Sequence, residues 1–289
     1  MLVILALLLL SGAFDMTSLS ETDNVYLVIV VLQLLVFLLP TFIYCKLKGK
    51  GYAKRLRLLP PRADALFCPI IASVVLISGE ILLGVGLKSF FDISEGFSLY
   101  GVYSAIGTSK ASNLLYVIFA FALIPALCEE FLFRSVLICE YESCGVFTAV
   151  VASSILFSVI HFNPEKLPIY LFSGIILAIT LYATRSVISS ITVHFIYNIF
   201  GLFGQKYMST FMDMTGSYEL FVFLVALVFL IFLVLLFAEV GRLYAYHAEK
   251  NRDSSYVLPR KEKKGKLAEA LLSPTYLVCL LLFVIVAVV

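Results

Sequence analysis

The sequence predicts an all-α fold, a polytopic transmembrane helix bundle of about eight spans, and two observations carry that expectation. Apolar residues make up 62% of the 289 and charged residues only 14%, far from the soluble balance of about half apolar and a quarter charged. The apolar residues also run in long unbroken stretches, where a transmembrane barrel would show short alternating strands. Inside hydrocarbon such stretches satisfy their backbone hydrogen bonds as helices.

Crossing a hydrocarbon core about 30 Å thick takes about 20 residues, which places spans at 25–45, 65–87, 113–138, 145–161, 167–183, 187–203, 219–240 and 271–289. The opening MLVILALLLLSGAF is short for a span and lacks a basic leader, so it reads as a truncated or interfacial helix and not as a cleaved signal peptide. The link after the first span carries Lys46, Lys48, Lys50, Lys54, Arg55, Arg57 and Arg62; the one after the seventh carries Lys250, Arg252, Arg260, Lys261, Lys263, Lys264 and Lys266. The positive-inside bias puts both links in the cytoplasm, an even number of crossings apart, with both termini outside. Gly, Ser and Asp in 86–113 and 204–218 predict outer loops. Three parts follow: N-terminal helices and loops at 1–112, a core at 113–204, and C-terminal helices with the basic cytoplasmic linker at 205–289.

The basic links fix topology and can touch anionic lipid, so the net charge of +2 is no argument for a nucleic-acid partner. Six scattered cysteines without a CxxC pair read as small hydrophobes, not as a disulfide or zinc framework. No Gly-rich P-loop is present, which argues against ATP-driven work.

One stretch breaks the hydrocarbon pattern. ALCEEFLFRSVL, residues 126–137, holds Glu129, Glu130 and Arg134, where each charge at a helix centre costs about 2.5–3.5 kcal/mol to insert. Glu130 and Arg134 are four apart, the favourable order for an ion pair within one helix. Glu129 points about 100° away and needs a partner on another segment. Further on, FSVIHF sets Phe157 and His161 four apart at the end of the fourth span, and VHFIYN does the same with His194 and Asn198 in the sixth. Two of only three histidines thus fall in spans.

A lone histidine there is a polar contact between helices. Glu129, His161, His194 and Asn198 together contain a base, an orienter and oxyanion donors for activating water against a carbonyl. Glu129, His161 and His194 also make a His2Glu zinc set with one open position. Both readings are hydrolytic. Counted at about 1.5 Å per residue from the cytoplasmic ends, Glu129 lies about 13 Å deep, His194 about 10 Å and His161 about 24 Å. A shared site therefore expects the fourth helix to begin above the membrane, or nearer Val151 with a tilt.

Taken in order, Glu129-Glu130-x-x-x-Arg134, Phe157-x-x-x-His161 and His194-x-x-x-Asn198 resemble the three motifs of the CPBP family, the CAAX-processing type II intramembrane proteases and bacteriocin-immunity (Abi) proteins. The resemblance covers about 114–202 and lies in three separate apolar helices. It implies a helical membrane peptidase with a cavity below the bilayer surface, open to the cytoplasm. By motif, Glu129 would be the general base for water, aided by His161, while His194 and Asn198 would stabilise the oxyanion. Glu130, Arg134 and Phe157 would be structural support. The family has been described both with a catalytic metal and without one, so the implied cofactor is either zinc on Glu129, His161 and His194 or none. Asn198, a poor zinc ligand and a good donor, suits the oxyanion role.

The implied partners are a peptide or protein substrate, a prenylated C-terminus among the candidates, and the lipid bilayer, with peptide maturation or bacteriocin immunity as the setting and a bacterial plasma membrane as the location. Two other classes stay open: a non-catalytic membrane scaffold or immunity protein, and an ion- or proton-coupled transporter. Glu80, a further charge in the second span beside Gly79, Gly84 and Gly86, reads either as part of such a relay or as a close helix contact. The absence of an inverted repeat weighs against transport.

Overall fold

The computed structural model describes residues 1, 3, 4, 6, 25–49, 51–91, 114–250 and 266–288, and all regular structure among them is helical. Helix α1 covers 25–48, α2 Phe67–Phe91, α3 114–141, α4 Val146–Val159, α5 Leu167–Thr184, α6 Val187–Thr215, α7 Tyr218–Lys250, α8 Lys266–Leu271 and α9 Pro274–Val288. Side chains such as Leu35 and Phe42 on α1 or Phe223, Leu230, Val234 and Phe237 on α7 are apolar and exposed, as lipid-facing surfaces require. With this fold the chain is a multi-pass integral membrane protein.

Six helices among the described residues are long and apolar enough to cross a bilayer, not eight. The expected spans at 145–161 and 271–289 are the shorter helices α4 and α9, of 14 and 15 residues, each only about 21–23 Å long. Helix α4 begins at Val146 after Gly145, whose φ of 111° breaks the chain direction, so its start is not near Val151. It ends at Val159, and His161 lies in the turn beyond it and not on the helix. Helix α3 runs past the expected end at 138 to Tyr141 and on through a 3-10 turn at Glu142–Cys144. Glu129 thereby stands about 22 Å from that end, level with the far end of the short α4.

The expected outer loop at 204–218 is instead the last three turns of α6. QKYMSTFMDMT contains no Gly or Pro, so the helix continues until Gly216, whose φ of 72° reverses the chain directly into α7. The other expected loop is α2 as far as Phe91, and its remainder falls outside the described residues. In the opening stretch Ile4 is buried in the main core with Cys279 and Phe283.

The first basic link packs against the end of α3 and against α7 at one end of the bundle. Lys48 pairs with Glu140 at 3.0 Å, Arg57 with Glu142 at 2.5 Å, and Arg55 donates to the Cys139 carbonyl at 3.2 Å, which fastens the first link to the end of α3. Arg242 of α7 donates to the Asp64 carbonyl, and Arg62 lies 3.7 Å from the Tyr246 ring. The Val187 amide starts α6 by donating to the Arg57 carbonyl at 3.0 Å.

The core forms around α2 and α3. Helix α2 packs on α5, α6 and most extensively α7; α3 packs on α1, α4, α5 and α6. Pro40 and Pro125 each stand just past the end of a π turn, Leu34–Leu38 and Phe119–Leu123, which absorbs the missing amide and the ring's clash with the preceding turn. Glycines decide two close crossings. A Cβ at Gly174 of α5 would stand 2.9 Å from Ser154 Cα of α4, and one at Gly79 of α2 would stand 2.5 Å from the Phe172 ring of α5.

Gly174→Ala is therefore expected to pry α4 from α5 and cost about 1–3 kcal/mol of stability. A drop of several degrees in the thermal midpoint of the detergent-solubilised protein, absent in Gly84→Ala where the space is open, is the check.

Candidate active site

The polar groups meet where α3, α4, α5 and α6 converge. Glu130 and Arg134 are fully buried and form an ion pair, Nε to Oε2, at 3.2 Å. Charge holds the pair, since neither of those two atoms has an aligned hydrogen bond. Arg134 Nη2 donates to the Gly174 carbonyl of α5 at 3.3 Å. The other oxygen of Glu130 accepts from His194 Nδ1 on α6 at 2.9 Å. One carboxylate thus ties an arginine of its own helix to a histidine of another.

Phe157 of α4 is the hub of the apolar side. Arg134 stacks its guanidinium 4.4 Å from the Phe157 ring centre, a cation–π contact. The same ring meets the His161 ring at 5.0 Å and the His194 ring at 5.9 Å, edge to face. Phe133 closes the other edge at 5.3 Å, and its carbonyl accepts from Ser153 Oγ at 3.0 Å. Both histidines are held against one aromatic ring.

His161 is further fixed by Nδ1 against the Phe157 carbonyl at 2.8 Å and by stacking on Tyr170 of α5 at 3.9 Å. A carbonyl only accepts, so His161 carries its proton on Nδ1 and presents a lone pair at Nε2. The Glu130 carboxylate sets the His194 proton on Nδ1 in the same way. Asn198 Nδ2 donates to the Ala122 carbonyl of α3 at 3.3 Å, which leaves its second N–H and its Oδ1.

Glu129 is 8% exposed, and its Oε2 is buried without a hydrogen-bond partner. Its carboxylate interacts electrostatically with His194, Glu130 and Arg134, and His161 with His194 and Arg134. The structure therefore brings Glu130, Arg134, His194 and Phe157 into direct contact, with His161 on the Phe157 ring and Glu129 and Asn198 beside them. No hydrogen bond joins Glu129 to either histidine. Among the described residues no group of three His, Cys, Asp or Glu side chains is placed to hold a metal ion.

Sequence reasoning pairs Glu130 with Arg134 and misses its second partner, His194, 64 residues away. It also misses Tyr170, Gly174 and the π turn at Phe131–Leu137, which directly follows the two glutamates. A small residue next to a serine-rich helix, Gly174 opposite Ser153-Ser154, is the available signal for the close crossing.

Residues 111–200 match the family model described as Type II CAAX prenyl endopeptidase Rce1-like. The matched stretch contains all three motifs, and the resemblance read from them is borne out there; this protease family supports a peptidase in general terms. No curated protein and no solved structure matches.

Arg134→Ala leaves the Glu130 charge buried without its counter-ion, a loss of about 3–5 kcal/mol. The expected outcome is a low folded yield in detergent and a depressed melt, whereas Arg134→Lys, which keeps the charge but loses the fork that reaches both Glu130 and Gly174, falls in between.

Proposed function

We propose that this protein is an intramembrane endopeptidase that hydrolyses a peptide bond with a water activated by Glu129. The observation that carries the reading is the unpartnered Glu129 oxygen, on a carboxylate that interacts with His194, in a cluster where both imidazoles have their Nδ1 atoms already committed. A buried carboxylate oxygen without a hydrogen-bond partner is expensive inside a bilayer and suits a group that must take a proton. The similarity of residues 111–200 to a protease family supports the same reading.

In this reaction Glu129 takes a proton from water, and His161 Nε2 accepts the water's other hydrogen bond and orients it. The hydroxide adds to the scissile carbonyl carbon. Charge developing on the oxygen is met by the free N–H of Asn198, held in place by the Ala122 carbonyl, and by His194. For His194 to donate from Nε2 it must carry both protons, and Glu130 is then its counter-ion. The proton on Glu129 passes to the leaving amine as the bond breaks. Each step uses groups of this chain. The substrate is a peptide or protein segment that reaches this depth from the cytoplasmic side, where the basic links lie; a prenylated C-terminus is one such substrate.

Glu129→Ala is expected to abolish cleavage of a broad peptide library while the melt is retained. Asn198→Ala, which removes one oxyanion donor, is expected to lower kcat by about 10²–10³-fold. Metal content measured on the same purified samples separates the two hydrolytic chemistries, because about one zinc per chain, lost in Glu129→Ala, would replace activation of water by the carboxylate alone. Wild-type protein inert on the library would favour the scaffold reading.

A further inference from the structure

Glu80 of α2 lies outside the three motifs, yet it is wired to them. Its carboxylate faces the hydroxyl of Tyr197 on α6 and interacts with it, and interacts also with the Lys166 ammonium at the start of α5. Its Oε2 is buried without a hydrogen-bond partner. Tyr197 sits between His194 and Asn198 in sequence, and its ring is 6.5 Å from the His194 ring. The Tyr197 hydroxyl also stands beside Ser173 and interacts with Tyr170, whose ring stacks on His161 at 3.9 Å. Beside it α2 and α5 approach closely: at Gly79, the residue before Glu80, the Phe172 ring occupies the space of a side chain. Gly84 and Gly86 face open space and have no share in this crossing.

We propose that Glu80 is a positioning residue of the candidate active site, which holds Tyr197, and through it Tyr170, as the wall against which His194 and His161 are set. A helix-packing role alone would be met by an apolar side chain at this point, without the expense of a buried carboxylate oxygen. What Glu80 supplies is an acceptor that fixes the Tyr197 hydroxyl, and hence the ring plane beside His194. Supporting partners of this kind decide how precisely a reacting group is placed. The proposal rests on His161 and His194 being members of that site.

The chain has only three histidines, so ¹⁵N-histidine labelling of the full protein in detergent gives a direct readout, with His161, His194 and His247 assigned by single substitution. Tyr197→Phe and Glu80→Ala are expected to shift the ring nitrogen signals of His161 and His194 and leave that of His247 in place. Glu80→Gln, which can still accept from the hydroxyl, is expected to keep them close to wild type. If the protein cleaves peptides, the same two disruptive variants lower kcat by about 10-fold or more with little change in KM, since misplacement of about 1 Å can cost up to about 100-fold. Unmoved His161 and His194 signals in both disruptive variants, or a shift that extends equally to His247, would overturn the proposal. A wild-type protein that cleaves nothing would remove the peptidase reading, and the nitrogen signals would then decide the role of Glu80 by themselves.

Discussion

A fully buried carboxylate, Glu130, shared between Arg134 and His194 is the contact on which the rest of the site depends. It joins α3 to α6 by accepting from His194 Nδ1, and Arg134 carries the connection to α5 through the Gly174 carbonyl and to α4 through the face of Phe157. Four helices are thus located relative to one another by two charged side chains. An ion pair in such a place is weak evidence of stability in itself, because desolvation offsets most of the attraction. Its value is geometric: another packing of these helices would leave the second Glu130 oxygen and the outer Arg134 donor without the partners they find on α6 and α5.

Much of this arrangement is legible in the sequence, and the reasons for the rest are specific. Charges inside apolar runs are visible because hydrocarbon makes them expensive, so Glu129, Glu130, Arg134, His161 and His194 stand out. The Glu130–Arg134 pair is visible because it is local. The Glu130–His194 bond is not, because a second acceptor site on a carboxylate leaves no trace in spacing. Helix ends go wrong where apolar content and helical continuity part company. The 204–215 stretch is polar enough to read as a loop but lacks a residue that stops a helix before Gly216, and α4 is apolar enough to read as a span but is cut short by Gly145 at one end and the His161 turn at the other.

Two π turns make α3 harder still to read. Each holds one residue more than an α-helical turn, so a single 3.6-residue wheel drawn over 114–141 slips at Phe119–Leu123 and again at Phe131–Leu137. The first has a cause in Pro125. The second contains Arg134 and lies against the cluster, and π turns recur at functional sites.

The spacing of the ion pair also bears on how the protein is made. Glu130 and Arg134 leave the ribosome on the same helix, so when α3 enters the bilayer it brings its own counter-charge, and the pair needs nothing that has yet to be synthesised. The Gly174 carbonyl arrives 40 residues after Arg134 and His194 64 residues after Glu130. Each newcomer finds a partner already waiting at depth: first a guanidinium with a free donor, then a carboxylate with a free oxygen. Assembly of the bundle can therefore follow the order of translation, with α3 as the template on which the later helices register.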